Sequence, residues 1–151
     1  GASPVPKLLD FGIAKVLSET VAGDQQRTRS GALMGTPQYM SPEQAAGRVE
    51  DIAPPSDVYS LGVILYQMLC GKPPFRGANA QDTLRKVLHD PPPSLREQVP
   101  GLSRDLEAIC MKCLAKEPGE RYGSARELAL DLGRFLDGRP LQEVVDRAVG
   151  Y

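Results

Sequence analysis

Apolar residues recur at helical spacing through the second half of this chain, and polar stretches rich in glycine and proline separate them. Near the start, residues 5–9 form a short extended run beside Pro4 and Pro6, which predicts a strand, and residues 13–17 are a candidate second strand. Residues 18–35 are polar and aperiodic, so they read as one long loop, a feature that is often functional when it interrupts a compact domain. Ser41, Pro42 and Glu43 follow the cap, proline, acid order of a helix start. Ile52-Ala53-Pro54-Pro55 reads as a rigid connector, after which Ser56 caps a helix reaching Cys70. Its apolar residues Val58, Leu61, Val63, Ile64, Leu65, Met68 and Leu69 surround most of the helix, which predicts burial at a domain centre. Gly71 stops it, and Pro73-Pro74 follow the stop. Asn79 caps a helix to His89, and Pro91-Pro92-Pro93 force an extended loop. Ser103 caps a helix with Leu106, Ile109, Cys110, Cys113 and Leu114 on one face, ended by Glu117-Pro118-Gly119. Ser124-Ala125-Arg126-Glu127 has the form of a capping box. The helix behind it shows Leu128, Leu132, Phe135 and Leu136 on one face and closes at Gly138 and Pro140. The expected fold is mainly α, with about five helices, one or two short strands and one long loop.

Length and composition narrow the class. The 151 residues suit one domain or a large piece of one. A net charge of −1 supplies no strong basic field for nucleic acid or an anionic membrane. The longest apolar stretch, residues 58–69, is interrupted by Ser60, Gly62 and Gln67 and falls short of the roughly 20 residues a bilayer needs. The chain opens without methionine or a basic leader, on a proline-containing loop, so we read it as a fragment. Its three cysteines, an odd count without secretory features, point to reduced thiols inside a cell. Cys110 and Cys113 form a C-x-x-C pair, but both lie on the apolar stripe of their helix, where thiols act as small hydrophobes. Without a second pair or a suitably spaced histidine, core packing is the better reading. His89, the single histidine, reads as an exposed residue favouring the negative end of its helix.

Four motifs carry the candidate chemistry. Asp10-Phe11-Gly12 follows an extended segment; alone it is an unremarkable Asp-x-Gly turn. Gly35-Thr36-Pro37-Gln38-Tyr39-Met40-Ser41-Pro42-Glu43, Ser56-Asp57-Val58-Tyr59-Ser60-Leu61-Gly62 and Glu117-Pro118-Gly119-Glu120-Arg121-Tyr122 come after it. In this order the motifs resemble the second half of a eukaryotic-like (Hanks-type) Ser/Thr protein kinase domain of bacterial type, from the Asp-Phe-Gly segment onward. The resemblance runs from Lys7 to about Pro140. Ser41 stands where the family's A-P-E segment has alanine, and Tyr59 where its D-x-W-x-x-G has tryptophan.

The resemblance implies a kinase C-lobe over residues 1–139, with 140–151 as a C-terminal extension or linker. It also implies roles. Asp10 would hold Mg²⁺ (or Mn²⁺) against the phosphates of ATP, since such hard cations take carboxylate oxygens. Phe11 would pack inward, and Gly12 would let the backbone flip. Thr36 would hydrogen-bond the catalytic aspartate and lysine. Asp57 would favour the positive end of its helix and accept bonds from the catalytic-loop backbone. Arg121 would form a buried ion pair with Glu43. Thr28 and Ser30, beside Arg27 and Arg29, and more weakly Thr20, are phosphorylation candidates in the activation-loop position.

The implied activity is transfer of the ATP γ-phosphate to Ser/Thr hydroxyls of proteins. The sequence contains neither G-x-G-x-x-G nor H-R-D, so the piece alone is expected to be inactive. It is also expected to fold poorly by itself, because its central helix would leave apolar surface exposed. Expected partners are ATP and a protein substrate, with no nucleic acid and no membrane segment in this stretch, and with room for a kinase homodimer. The expected location is cytoplasmic, any membrane tether lying outside the chain. Two alternatives stand beside this. One is a pseudokinase, a regulatory binding module keeping the fold without the chemistry. The other is an unrelated helical interaction domain with a Cys-x-x-Cys metal site. Intact Asp10, Gly12 and Thr36 favour the active kinase.

Overall fold

The computed structural model describes residues 37–143. The strands expected at 5–9 and 13–17 and the loop at 18–35 lie outside the described residues. Within them the fold is helical, with six α-helices and no strand.

Helix α1 (Pro42–Ala45) starts at Ser41 through a reciprocal cap: the Gln44 N–H donates to Ser41 Oγ (3.3 Å) and the Ser41 N–H donates to Gln44 Oε1 (2.9 Å). Helix α2 (Pro54–Cys70) begins earlier than expected. Pro54 and Pro55 are its first turn rather than a connector, because first-turn N–H groups have no partner inside the helix and a proline gives up nothing there. Ser56 is therefore its third residue, and its hydroxyl reaches back to accept the Ala53 N–H (3.3 Å). Gly71 ends α2 in the left-handed conformation (φ +85°), its N–H donating to Gln67 O (2.8 Å).

Four helices follow. Helix α3 (Ala80–His89) is capped by Asn79, whose Oδ1 accepts the Asp82 N–H at 2.8 Å. Helix α4 (Leu95–Gln98), capped by Ser94, was not expected; four residues are too few to show a period. Helix α5 (Arg104–Cys113) starts at Ser103 but ends at Cys113, four residues before Glu117, and Pro118–Glu120 form a separate 3₁₀ turn. Helix α6 (Ala125–Leu136) starts at Ser124, whose Oγ accepts the Glu127 N–H (3.3 Å). The Glu127 carboxylate instead accepts from the Gly123 N–H (2.7 Å), one residue before the cap.

Helix α2 is the axis of the core. Tyr59, Val63 and Tyr66 face one cluster with Phe75, Val87 and Leu95, and Val58 faces a second with Ile109, Cys113, Tyr122 and Leu128. Burial is not complete around it: Ile64 is 44% and Met68 77% exposed. These two stand four residues apart on one arc, and neither belongs to the core clusters packed on this helix. Leu136, expected on the buried face of α6, is 80% exposed, since it stands a full turn past Leu132 as the last residue of the helix. Cys110 and Cys113 are fully buried, and the Cys110 thiol donates weakly to Gly62 O at 3.5 Å. Burial pushes both thiols up, Cys113 to about 12, so they stay protonated and inert. No helix among the described residues is long and apolar enough to cross a membrane.

Helices α2 and α5 approach closely at Gly62. A Cβ there would lie 2.4 Å from Cys113 Cβ. Gly133, in the interior of α6, has nothing within 4 Å of its Cβ position. Alanine improves helix propensity by about 1 kcal/mol at either site, so the clash alone decides the sign. Gly62→Ala is expected to destabilise the lobe by about 1–3 kcal/mol from overpacking, and Gly133→Ala to stabilise it by up to about 1 kcal/mol. Denaturant midpoints of the two variants in the intact protein check this.

Candidate functional site

The 3₁₀ turn Pro37–Tyr39 and the Pro118–Glu120 turn both contact α2, and helix α1 and the Pro37–Tyr39 turn also pack against α3. A buried charge cluster holds them. Glu43, in the first turn of α1, points inward, and Arg121 reaches it from the turn that precedes α6. Arg121 Nη1 lies 2.8 Å from Glu43 Oε1 and Nη2 lies 2.9 Å from Oε2, and both side chains are fully buried. This fork-to-fork geometry is the strong, directional form of an ion pair.

The guanidinium leaves no donor unused. Its remaining N–H groups donate to Ala115 O (2.7 Å), Pro55 O (3.0 Å) and Lys116 O (3.0 Å). Its plane lies 5.0 Å from the centre of the Tyr59 ring, a cation–π distance. Ser56 completes the other side by donating to Glu43 Oε1 at 2.6 Å. Thus one side chain ties the carbonyl at the start of α2, the loop after α5 and the carboxylate of α1. Full satisfaction matters because a buried charge stripped of water is costly unless every valence is met. The Tyr59 hydroxyl, in contrast, is buried without a hydrogen-bond partner among the described residues.

Two more bonds fix the turn ahead of α1. Ser60 Oγ donates to Tyr39 O (3.2 Å), and the Tyr39 hydroxyl donates to Gln67 Oε1. A row of α2 side chains therefore positions the turn. Lys116, beside Arg121, donates to Val87 O at the end of α3 (2.6 Å) and sits 4.1 Å over the Phe75 ring. Burial lowers its pKa to about 8.

The structure brings Glu43 and Arg121 together. Asp57 lies half-buried in the first turn of α2. Asp10, Phe11, Gly12, Thr20, Thr28, Ser30 and Thr36 lie outside the described residues. Sequence reasoning missed Ser56 as a ligand of Glu43, and it missed Ser60 and Gln67 as supports of Tyr39. Spacing on α2 held a partial signal, because Ser56, Ser60 and Gln67 are polar interruptions of an otherwise apolar helix.

Burial pushes the Glu43 carboxyl up, but hydrogen bonds from Arg121 and Ser56 outweigh it and hold it at about 2, against 4.5 for a free glutamate. A folded pKa below the unfolded one means that the unfolded chain binds more protons in between. The pair's stabilisation is therefore complete above about pH 4.5 and is lost as pH falls toward 2. Removing one partner, by Glu43→Gln or Arg121→Met, is expected to cost about 3–5 kcal/mol at neutral pH. Glu43→Gln should also flatten the stability profile between pH 4.5 and 2. Denaturant titrations across that range check both outcomes.

Comparison with known proteins adds family information. A protein-family description, "Protein kinase domain", matches residues 2–131. The chain is 44% identical over 141 residues to the serine/threonine-protein kinase PknB of Mycobacterium tuberculosis, which covers 92% of this chain and 21% of that protein. It is 40% identical over 136 residues to the probable serine/threonine-protein kinase PknB of Bifidobacterium longum, covering 89% of this chain and 19% of that protein. Among solved structures it is similar to the twitchin kinase region of C. elegans, with a TM-score of 0.55 and 28% identity over 64% of this chain and 16% of that one. The chain thus spans about a fifth of the length of the curated relatives it matches.

Proposed function

The chain belongs to the protein kinase domain family, and from that premise we propose that it is the C-terminal part of a bacterial Ser/Thr protein kinase. The reaction would move the γ-phosphate of ATP onto Ser or Thr hydroxyls of proteins. The observation that carries the reading is the two-pronged Arg121–Glu43 pair at the family's positions. It fixes the short helix that follows the Thr36-Pro37 segment in sequence, where a substrate-docking loop would run. The naming of the bacterial relatives as serine/threonine-protein kinases supports the hydroxyl specificity.

The roles divide as follows. Asp10 offers a hard carboxylate oxygen, the donor type that Mg²⁺ or Mn²⁺ takes, so the residue fits the metal the family uses. When bound, that metal neutralises phosphate charge and orients ATP. Phe11 would pack inward, and Gly12 would give the triplet freedom to turn. Thr36 would hydrogen-bond the catalytic aspartate and lysine. Asp57 steadies the start of α2. Thr28, Ser30 and Thr20 are the candidate phosphate acceptors in the loop before Thr36, with Arg27 and Arg29 close in sequence. Residues 1–139 would form the kinase part.

These 151 residues hold no glycine-rich lid and no H-R-D segment. We therefore expect no phosphoryl transfer from them alone, the base and phosphate lysine being supplied by the rest of the catalytic domain. ATP and a protein substrate are the partners this reading requires, and a kinase homodimer is compatible with it. It places the activity in the cytoplasm, where ATP is available.

Asp10→Asn in the intact protein is the direct test. Phosphoryl transfer to a protein substrate should fall by more than about a hundred-fold, while the thermal melting profile stays that of the wild type. Transfer at the wild-type rate would remove the metal role. ATP binding without any transfer by the wild-type protein would favour the pseudokinase instead.

A further inference from the structure

Outside the Glu43 cluster, the most buried carboxylate among the described residues is Asp131, in the second half of α6, only 2% exposed. It gathers three donors. The Tyr122 hydroxyl donates to Oδ2 (2.7 Å), Arg134 Nη1 donates to Oδ1 (2.8 Å), and the main-chain N–H of Gln142 donates to Oδ1 (2.9 Å). Gln142 lies beyond the end of α6. The chain leaves the helix through Gly138 in the left-handed conformation (φ +67°), and the Arg139 N–H turns back to Arg134 O (2.8 Å). Leu141 then enters the second core cluster, 6% exposed, against Val58, Ile109, Cys113, Tyr122 and Leu128. The matched family region ends at residue 131, so this return lies past it.

We propose that residues 140–143 are a strap of the folded lobe, not a linker, docked by Leu141 in the core and by the Gln142 N–H on Asp131. Two independent contacts, one apolar and one polar, fix the same short segment. A passing linker would bury neither. The polar contact has a physical requirement behind it: a carboxylate this deep needs its donors, and losing one leaves charge under-satisfied. Burial pushes the Asp131 carboxyl up, yet the bonds from Gln142, Tyr122 and Arg134 outweigh it and hold it below the ordinary aspartate value. Tyr122 shares the core cluster with Leu141 and directly follows Arg121, so the strap packs beside the segment that carries the Glu43 partner. Residues 140–143 would therefore hold the end of the described lobe at a set point. The inference is independent of phosphoryl transfer.

Backbone amide exchange on the intact protein tests it, read for the wild type, Leu141→Ala and Asp131→Asn. In the wild type, the Gln142 amide should exchange at least about a hundred-fold more slowly than in an unstructured chain. Leu141→Ala and Asp131→Asn should each lower that protection by about ten-fold while the α2 amides keep theirs. An unstructured rate at Gln142 in the wild type would overturn the proposal, as would unchanged protection in both variants. Should either variant unfold the lobe, the wild-type rate alone decides.

Discussion

One guanidinium organises this lobe. Arg121 meets Glu43 from 78 residues away with two parallel hydrogen bonds, and its other donors go to three carbonyls in two segments, the start of α2 and the loop after α5. Because both charges are wholly buried, the pair tolerates no half-measures: the Coulomb and hydrogen-bond terms offset desolvation only while the geometry is complete. It acts less as a source of net stability than as a specification of position. Helix α1 has four residues and could not hold itself in place. Its orientation, and with it that of the Pro37–Tyr39 turn, is set from outside by Arg121, Ser56, Ser60 and Gln67. In the proposed kinase this is the part on which a substrate would rest.

The neighbouring residue extends the same logic. Tyr122 turns its hydroxyl to Asp131 on the opposite side of the loop, and Asp131 in turn holds the Gln142 N–H. Consecutive residues thus serve two buried carboxylates, one near each end of the described stretch of sequence. Between them runs α2, shared by both apolar clusters and brought against α5 by the missing side chain at Gly62. The exposed arc of Ile64 and Met68 is the one face of this helix that the described residues leave open.

Local chemistry made much of this legible beforehand. Ser41, Asn79, Ser103 and Ser124 all cap the helices expected of them, since a cap depends on a side chain and an amide two or three residues away. Gly71 and Gly138 marked their helix ends for a different local reason, because glycine alone takes the left-handed conformation without strain. Where placement depends on tertiary contact, sequence reading stopped short. Pro54-Pro55 looked like a connector because a proline pair is equally at home in a first turn. Tyr59 and Tyr66 carry much of the core although the apolar count of α2 did not include them. Helix α4 is too short to have a period, and Ile64 and Met68 show that apolar composition does not reveal which arc is covered. The Glu43–Arg121 pairing came from the family resemblance alone, and no spacing rule reaches across 78 residues. Asp131 did carry a signal, as a lone acid on the stripe of Leu128, Leu132 and Phe135.

The claim that Arg121 and Glu43 act as one unit is tested most directly by a double-mutant cycle in the intact protein. It compares Glu43→Gln, Arg121→Met and the double variant by denaturant unfolding at neutral pH. A cooperative unit predicts that the second substitution costs little once the first is made, with a coupling of about 2 kcal/mol or more. Additivity within about 0.5 kcal/mol would show that the two side chains act separately, and the account of the lobe built on their pairing would be wrong.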